Sequence, residues 1–175
     1  MNKFYFKEDN NFLNSHQKNF LENTVMSDNF PFYFYKESVK GDNNIFFSHM
    51  VKKRPEIGGE WNSTYKDNFI DILNTFCKKN NIKYNEILRC TINLTIKTTD
   101  KKCPVHIDHP YYHKQLLIYL NNPEDTNSQT IILKNNKIYK KIVPKQFKGV
   151  CFDSTEHYHY YPQKGYRFVL VYTFK

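Results

Sequence analysis

From Ile87 to Phe174 the sequence reads as short β-strands in close succession, and this constrains the fold more than any other feature. Strands are expected over Ile87–Thr98, His106–Asp108, Gln115–Leu120, Thr130–Leu133, Lys137–Val143, Gly149–Asp153 and Tyr166–Phe174. Thr130–Leu133 and Lys137–Val143 flank Asn135-Asn136, residues that tolerate the positive φ of a tight hairpin turn. Ahead of them, the apolar spacing of Phe12, Leu13, Phe20, Leu21, Val25 and Met26 predicts a helix within residues 11–28. Phe32–Tyr35 and Asn44–Met50 read as strands, with polar Lys36–Asn43 between them and a loop at Lys52–Ser63 after them. Tyr65–Lys79 is the clearest helix, with Phe69, Ile70, Ile72, Leu73 and Phe76 on one broad face. Helices first and strands after predict an α+β domain with a curved antiparallel sandwich or barrel. No repeat, linker or low-complexity stretch divides residues 1–175, so a single domain is expected, with 1–85 supporting a core in 86–175.

Bulk properties exclude several classes. Only 5 glycines are present and no phosphate-cradling glycine motif occurs. The four cysteines, Cys77, Cys90, Cys103 and Cys151, lack C-x-x-C spacing, so neither a zinc ribbon nor a thioredoxin-like site is indicated. The start of the sequence has no apolar signal core and no apolar run approaches membrane-spanning length, which predicts a reduced, cytoplasmic protein with no membrane partner. A net charge of +9 raises nucleic acid as a partner. Against it, only Arg54, Arg89 and Arg167 are arginines among 26 basic residues, a bias that speaks for solubility more than recognition.

Chemistry concentrates in Cys103–His113. In a strand, His106 and Asp108 of His106-Ile107-Asp108 share a face, so one imidazole and one carboxylate can close on a metal ion. A distant histidine would complete a 2-His-1-carboxylate triad. Five of the seven histidines lie between 106 and 159, and His157 and His159 both follow the strand ending at Asp153. Arg167 shares a strand face with Val169 and Val171, where a buried guanidinium would bind an anion. Read blandly, His49 is a satisfied core histidine, Arg89 a structural partner of a carboxylate, and Tyr119 a core aromatic. His109 and His113 are read as solvent-exposed groups at a rim, and Tyr111, Tyr112, Tyr158, Tyr160 and Tyr161 as a cluster around the presumed mouth.

H-x-D, a second histidine 51 residues beyond the first, and a basic residue ten further on resemble the Fe(II)/2-oxoglutarate-dependent dioxygenases, nearest their prolyl-4-hydroxylase-like subgroup. Val105-His-Ile-Asp-His-Pro110, Leu117-Ile-Tyr-Leu-Asn121 and Val150-Cys-Phe-Asp-Ser154 are similar to that family's strands. Ser128-Gln-Thr130 stands where the family usually has glycine before threonine. The resemblance implies a double-stranded β-helix of the jelly-roll or cupin kind, with the N-terminal helices packed on one sheet. It implies Fe(II) held by His106, Asp108 and His157, with His159 the rival third ligand; the spacing to Arg167 favours His157. It further implies 2-oxoglutarate clamped by Arg167 with Tyr119 and Asn93, O2 as co-substrate, and ascorbate as a supporting reductant. His113, Tyr112 and His109 are the substrate-side candidates. The implied reaction hydroxylates a C–H bond, on a prolyl or other side chain of a protein or peptide, while 2-oxoglutarate becomes succinate. The alternatives are oxidative demethylation of nucleic acid and a non-enzymatic β-sandwich retaining a degenerate site.

Overall fold

The structure is a computed structural model and describes residues 4–39 and 41–175; Lys40, in the Lys36–Asn43 segment, and the first three residues fall outside the described set. In chain order the elements are β1 (Phe6–Asp9), α1 (Ser15–Phe20), a π turn (Leu21–Val25), β2 (Tyr33–Tyr35), β3 (Phe46–Lys52), a 3-10 turn (Pro55–Ile57) and α2 (Lys66–Lys79). There follow β4 (Ile87–Ile96), β5 (Lys114–Tyr119), β6 (Thr130–Lys134), β7 (Lys137–Ile142), β8 (Gly149–Asp153), β9 (His157–His159) and β10 (Tyr166–Phe174). A seven-stranded antiparallel sheet runs β1-β8-β5-β10-β4-β3-β2, and a three-stranded one runs β7-β6-β9.

Both faces of the large sheet are covered, so its central strands read as nearly unbroken apolar runs. On β5, Leu116 and Ile118 face α1 and α2, while Leu117 and Tyr119 face the smaller sheet. On β10, Phe168, Leu170, Tyr172 and Phe174 join the helical side, and Val169 and Val171 join the other. Helix α2 contributes Phe69, Ile72, Leu73 and Phe76 to the helical side, each fully buried. Helix α1 begins only at Ser15, because Asn14 accepts from the Gln17 N–H while Gln17 returns a bond to the Asn14 N–H, a reciprocal cap.

The β6–β7 turn is Asn135-Asn136, both at positive φ (51° and 59°), as a two-residue hairpin requires. Two strands were not anticipated: β1, which pairs with β8 at the sheet edge, and β9. The expected strand at His106–Asp108 is corrected. Only His106 pairs, in an isolated bridge to His157, and Asp108 sits in a bend. All four cysteines are free and buried. No helix among the described residues is long and apolar enough to cross a membrane.

Candidate active site

Between the two sheets lies a cavity of about 470 Å³. Its wall includes His106, Asp108, His157, His159, Asn93, Thr130 and Arg167, together with Arg54 and Arg89. Each part is set there by a local rule. His106 and His157 face each other because an isolated bridge joins them, with mutual backbone bonds of 3.1 and 3.0 Å, and their rings stand 4.5 Å apart. Strand alternation brings Arg167, Val169 and Val171 inward from β10 and Asn93 and Thr95 inward from β4.

The two imidazoles are fixed alike. His106 Nδ1 donates to the Pro104 carbonyl at 2.9 Å, and His157 Nδ1 donates to the Thr155 carbonyl at 3.0 Å. With Nδ1 so engaged, the neutral form of each ring carries its lone pair on Nε2, the state a metal requires. The Gln115 amide approaches the His157 Nε2 at 3.3 Å, and Asp108 Oδ2 stands 3.7 Å from the same atom. Burial, with His106 alongside, lowers the His157 pKa to about 4, so the ring is neutral near pH 7.

Asp108 is held hard on its other oxygen. Oδ1 accepts from Arg54 at 2.8 Å and from Arg89 at 2.9 Å, and the Asp108 carbonyl takes a second Arg54 bond at 2.9 Å. Burial alone would raise the carboxyl's pKa; Arg89, His157 and Arg54 outweigh it and hold the group well below the usual carboxylate range. Arg89 is itself lowered to about 10, by burial and then by the Arg54 charge. The reading of Arg89 as a carboxylate partner thus gains a named partner, Asp108. Arg54 was not anticipated, since nothing local links it to a residue 54 positions away.

At the other end, Arg167 is 5% exposed and no carboxylate among the described residues pairs with it. Its Nη2 donates to Thr130 Oγ1 at 2.9 Å, and its enclosed Nε has no partner. An isolated buried guanidinium costs on the order of several kcal/mol, which an entering carboxylate would offset. Tyr119 is fully buried behind this point, donates to the same Thr130 hydroxyl at 2.8 Å and is not on the cavity wall.

The remaining nominees are dispersed. His159 lines the cavity, but its Nδ1 lies 3.2 Å from Cys103 Sγ and its buried Nε2 has no partner. Burial depresses its pKa, with the Arg167, His106 and His157 charges adding to the effect. His109 and His113 are buried, not solvent-exposed as read from the sequence. His109 bridges Glu56 (2.9 Å) and Thr173 (2.8 Å), and His113 donates from Nδ1 to the Tyr111 carbonyl. Tyr112 bonds Asp153 and, with His109 and Tyr111, lines an adjoining, more open groove that meets the main cavity at Ile107 and Asp108. None of these three lines the main cavity.

Among the described residues no three donors already close on one point. The donor set nonetheless fits a divalent metal: His157 Nε2 and Asp108 Oδ2 stand 3.7 Å apart, the His106 ring lies 4.5 Å from the His157 ring, and each imidazole is oriented by its Nδ1 bond to a backbone carbonyl.

No family model matches the sequence, and no curated protein matches it either. Solved structures do match in shape. The chain superposes on a 2OG-Fe(II) oxygenase-family oxidoreductase from Burkholderia pseudomallei with a TM-score of 0.75, at 14% identity, covering 98% of this chain and 84% of that one. A prolyl hydroxylase from Trichoplax adhaerens, solved with a hypoxia inducible factor peptide fragment, gives 0.63 at 18% identity, covering 97% and 82%. A prolyl-4-hydroxylase from Pseudomonas putida gives 0.63 at 12%, covering 97% and 91%. The fold is the double-stranded β-helix of these oxygenases, with the N-terminal helices packed on its larger sheet.

Proposed function

We propose that the chain is an Fe(II)- and 2-oxoglutarate-dependent dioxygenase that hydroxylates a C–H bond. The observation that carries this reading is the pairing, in one cavity, of two lone-pair-bearing imidazoles beside Asp108 with a buried arginine that has no counter-ion. His106 and His157 would hold the metal through Nε2, and Asp108 through Oδ2. Bound there, Fe(II) with O2 and 2-oxoglutarate supplies the oxidising chemistry, in which the diacid leaves as succinate and CO2 and one oxygen atom enters the substrate.

The chain's own share is positioning. Thr130 orients the Arg167 fork toward the distal carboxylate of 2-oxoglutarate, and Tyr119 anchors Thr130 from behind. Arg54 and Arg89 confine Asp108 to one free oxygen, which leaves metal positions open for the two co-substrates. Leu117, Val169 and Val171 form an apolar wall that keeps bulk water from the reacting centre. The fold shared with a peptide-bound prolyl hydroxylase supports a protein side chain, proline among them, as the group oxidised.

Anaerobic titration of Fe(II) and 2-oxoglutarate into the metal-stripped protein tests this through the visible metal-to-ligand charge-transfer band. The band is expected with the wild type, lost in His106→Ala, and absent from Arg167→Ala at the same co-substrate concentration. A folded protein that gives no band with either reagent order would sink the reading.

A further inference from the structure

The chain has three arginines against 23 lysines, and all three arginines line the one cavity. They do not cluster at one point. Arg167 lies opposite Thr95 in the β10–β4 register, and Arg89 lies six residues back along β4, opposite Thr173. At about 3.4 Å per residue the two backbone positions are about 20 Å apart. A short diacid seated on Arg167 therefore leaves Arg89 and its neighbour Arg54 to a different task.

Holding Asp108 uses only part of what this second pair offers. Each guanidinium carries five N–H donors. Three of those ten find acceptors among the described residues, all on Asp108. Arg54 Nε, Arg89 Nε and Arg89 Nη2 have no acceptor among the described residues, and none of the three is enclosed. Both side chains line the cavity, and the Arg54 side chain is 34% exposed. Two positive charges share one carboxylate, so this end keeps a net positive charge. The one other acid on the wall, Glu37, is turned to the Gly41 N–H at 2.7 Å. Between the two arginine ends Met50, Leu117, Val169 and Val171 supply a hydrocarbon stretch of the wall, beside the polar Asn93, Gln115, His106 and His157.

We propose that Arg54 and Arg89 form a second anion subsite, which receives a carboxylate of the primary substrate while its hydrocarbon body lies over Met50 and Val171. The substrate is then a carboxylate-bearing molecule, either a peptide presenting its C-terminus or a free amino acid, in place of a neutral internal segment. This rests on the cavity being the oxygenase site. Planar, bidentate recognition explains why arginine stands at both ends in a chain that otherwise uses lysine.

The scarcity of arginine makes the test direct. Protein grown on 15N-arginine gives three Nε–H signals, assigned by Arg54→Lys, Arg89→Lys and Arg167→Lys, each of which removes one. The probes are N-acetyl-L-proline and N-acetyl-L-leucine, their primary amides, and the two free amino acids, titrated into the metal-free full chain. The acids should shift the Arg54 and Arg89 signals saturably, with about tenfold or greater preference over the amides, the worth of a charge-assisted hydrogen bond. That preference should collapse in Arg54→Lys. N-acetyl acids binding better than free amino acids assigns a peptide C-terminus; the reverse assigns a free amino acid. Equal shifts with acids and amides, or Arg54 and Arg89 signals that no acid moves, reduce the pair to a brace for Asp108 and overturn the proposal. The Arg167 signal reports separately: if 2-oxoglutarate does not move it, the dioxygenase reading fails, whatever the acids do at Arg54.

Discussion

Asp108 carries two jobs at the scale of a single residue. One oxygen faces His157, and the other is shared by two guanidiniums, one of them almost fully enclosed. Replacing it with asparagine keeps the shape but leaves Arg54 and Arg89 repelling each other without a counter-charge. Breaking a buried pair costs about 3–5 kcal/mol, and the partial exposure of Arg54 argues for the low end. Asp108→Asn should therefore lose about 3 kcal/mol in urea unfolding of the metal-free protein, where a purely metal-binding aspartate would lose nothing; an unchanged midpoint contradicts the bracing role. The sequence shows His106, Asp108, His157 and Arg167 because the H-x-D triplet, the later histidine and the basic residue after it are spacings along one chain. Arg54, Gln115 and Thr130 were not legible as partners, since their contacts join segments 54, 42 and 37 residues apart. His109 and His113 misled for a related reason. A histidine among tyrosines and prolines reads as surface, yet Glu56 and the buried Thr173 supply His109 with partners from elsewhere.

At the scale of the element, the site depends on how closely the helices dock. Gly149 opens β8 against this layer, and a Cβ there would stand 2.7 Å from the Phe76 ring of α2 and 2.8 Å from the Phe12 ring. Those rings already pack edge to face, 4.9 Å apart, with no slack to give. Gly149→Ala should destabilise by about 1–3 kcal/mol, the usual cost of overpacking. Because the strain falls on the helical face, 2-oxoglutarate affinity on the opposite face should hold. Thermal unfolding together with a binding isotherm checks both halves, and a stable variant would mean that α2 can shift freely. Helix α2 was legible because five apolar residues share one face, and the β6–β7 hairpin because Asn135-Asn136 is its own turn signal. Strand β1, Phe6–Asp9, was not, since a single apolar residue among charges looks like a tail until the β8 edge pairs with it. The His106–Asp108 strand was over-read: one bridge to His157 suffices to aim both side chains into the cavity, and the bend at Asp108 turns it toward Arg54.

Over the whole molecule, gathering so many histidines inside one small domain sets how the fold responds to acid. Burial lowers the pKa of His49, His113, His157 and His159, that of His157 to about 4. A histidine whose folded pKa lies below its unfolded value binds its proton more readily in the unfolded chain. The stability it contributes is thus complete above about pH 6.5 and is lost as the pH falls toward the folded value. The depressed carboxylates, Asp108 foremost, act in a lower window, as the pH falls through and below the ordinary carboxylate range near 4, and leave the interval from 6.5 to 4.5 to the histidines. Urea unfolding of the metal-free protein across that interval should show stability falling by at least about 1.4 kcal/mol per pH unit, the slope of one extra proton taken up on unfolding. A flat profile would mean that the interior histidines are as easily protonated folded as unfolded, and the neutral His157 that the metal reading needs would go with it. Adding Mn(II) supplies the second half of the argument, because a metal binds only the deprotonated imidazole and so competes with the same protons. If His157 is a ligand, the metal should raise stability at pH 7 and lose that effect over the interval in which the free protein weakens.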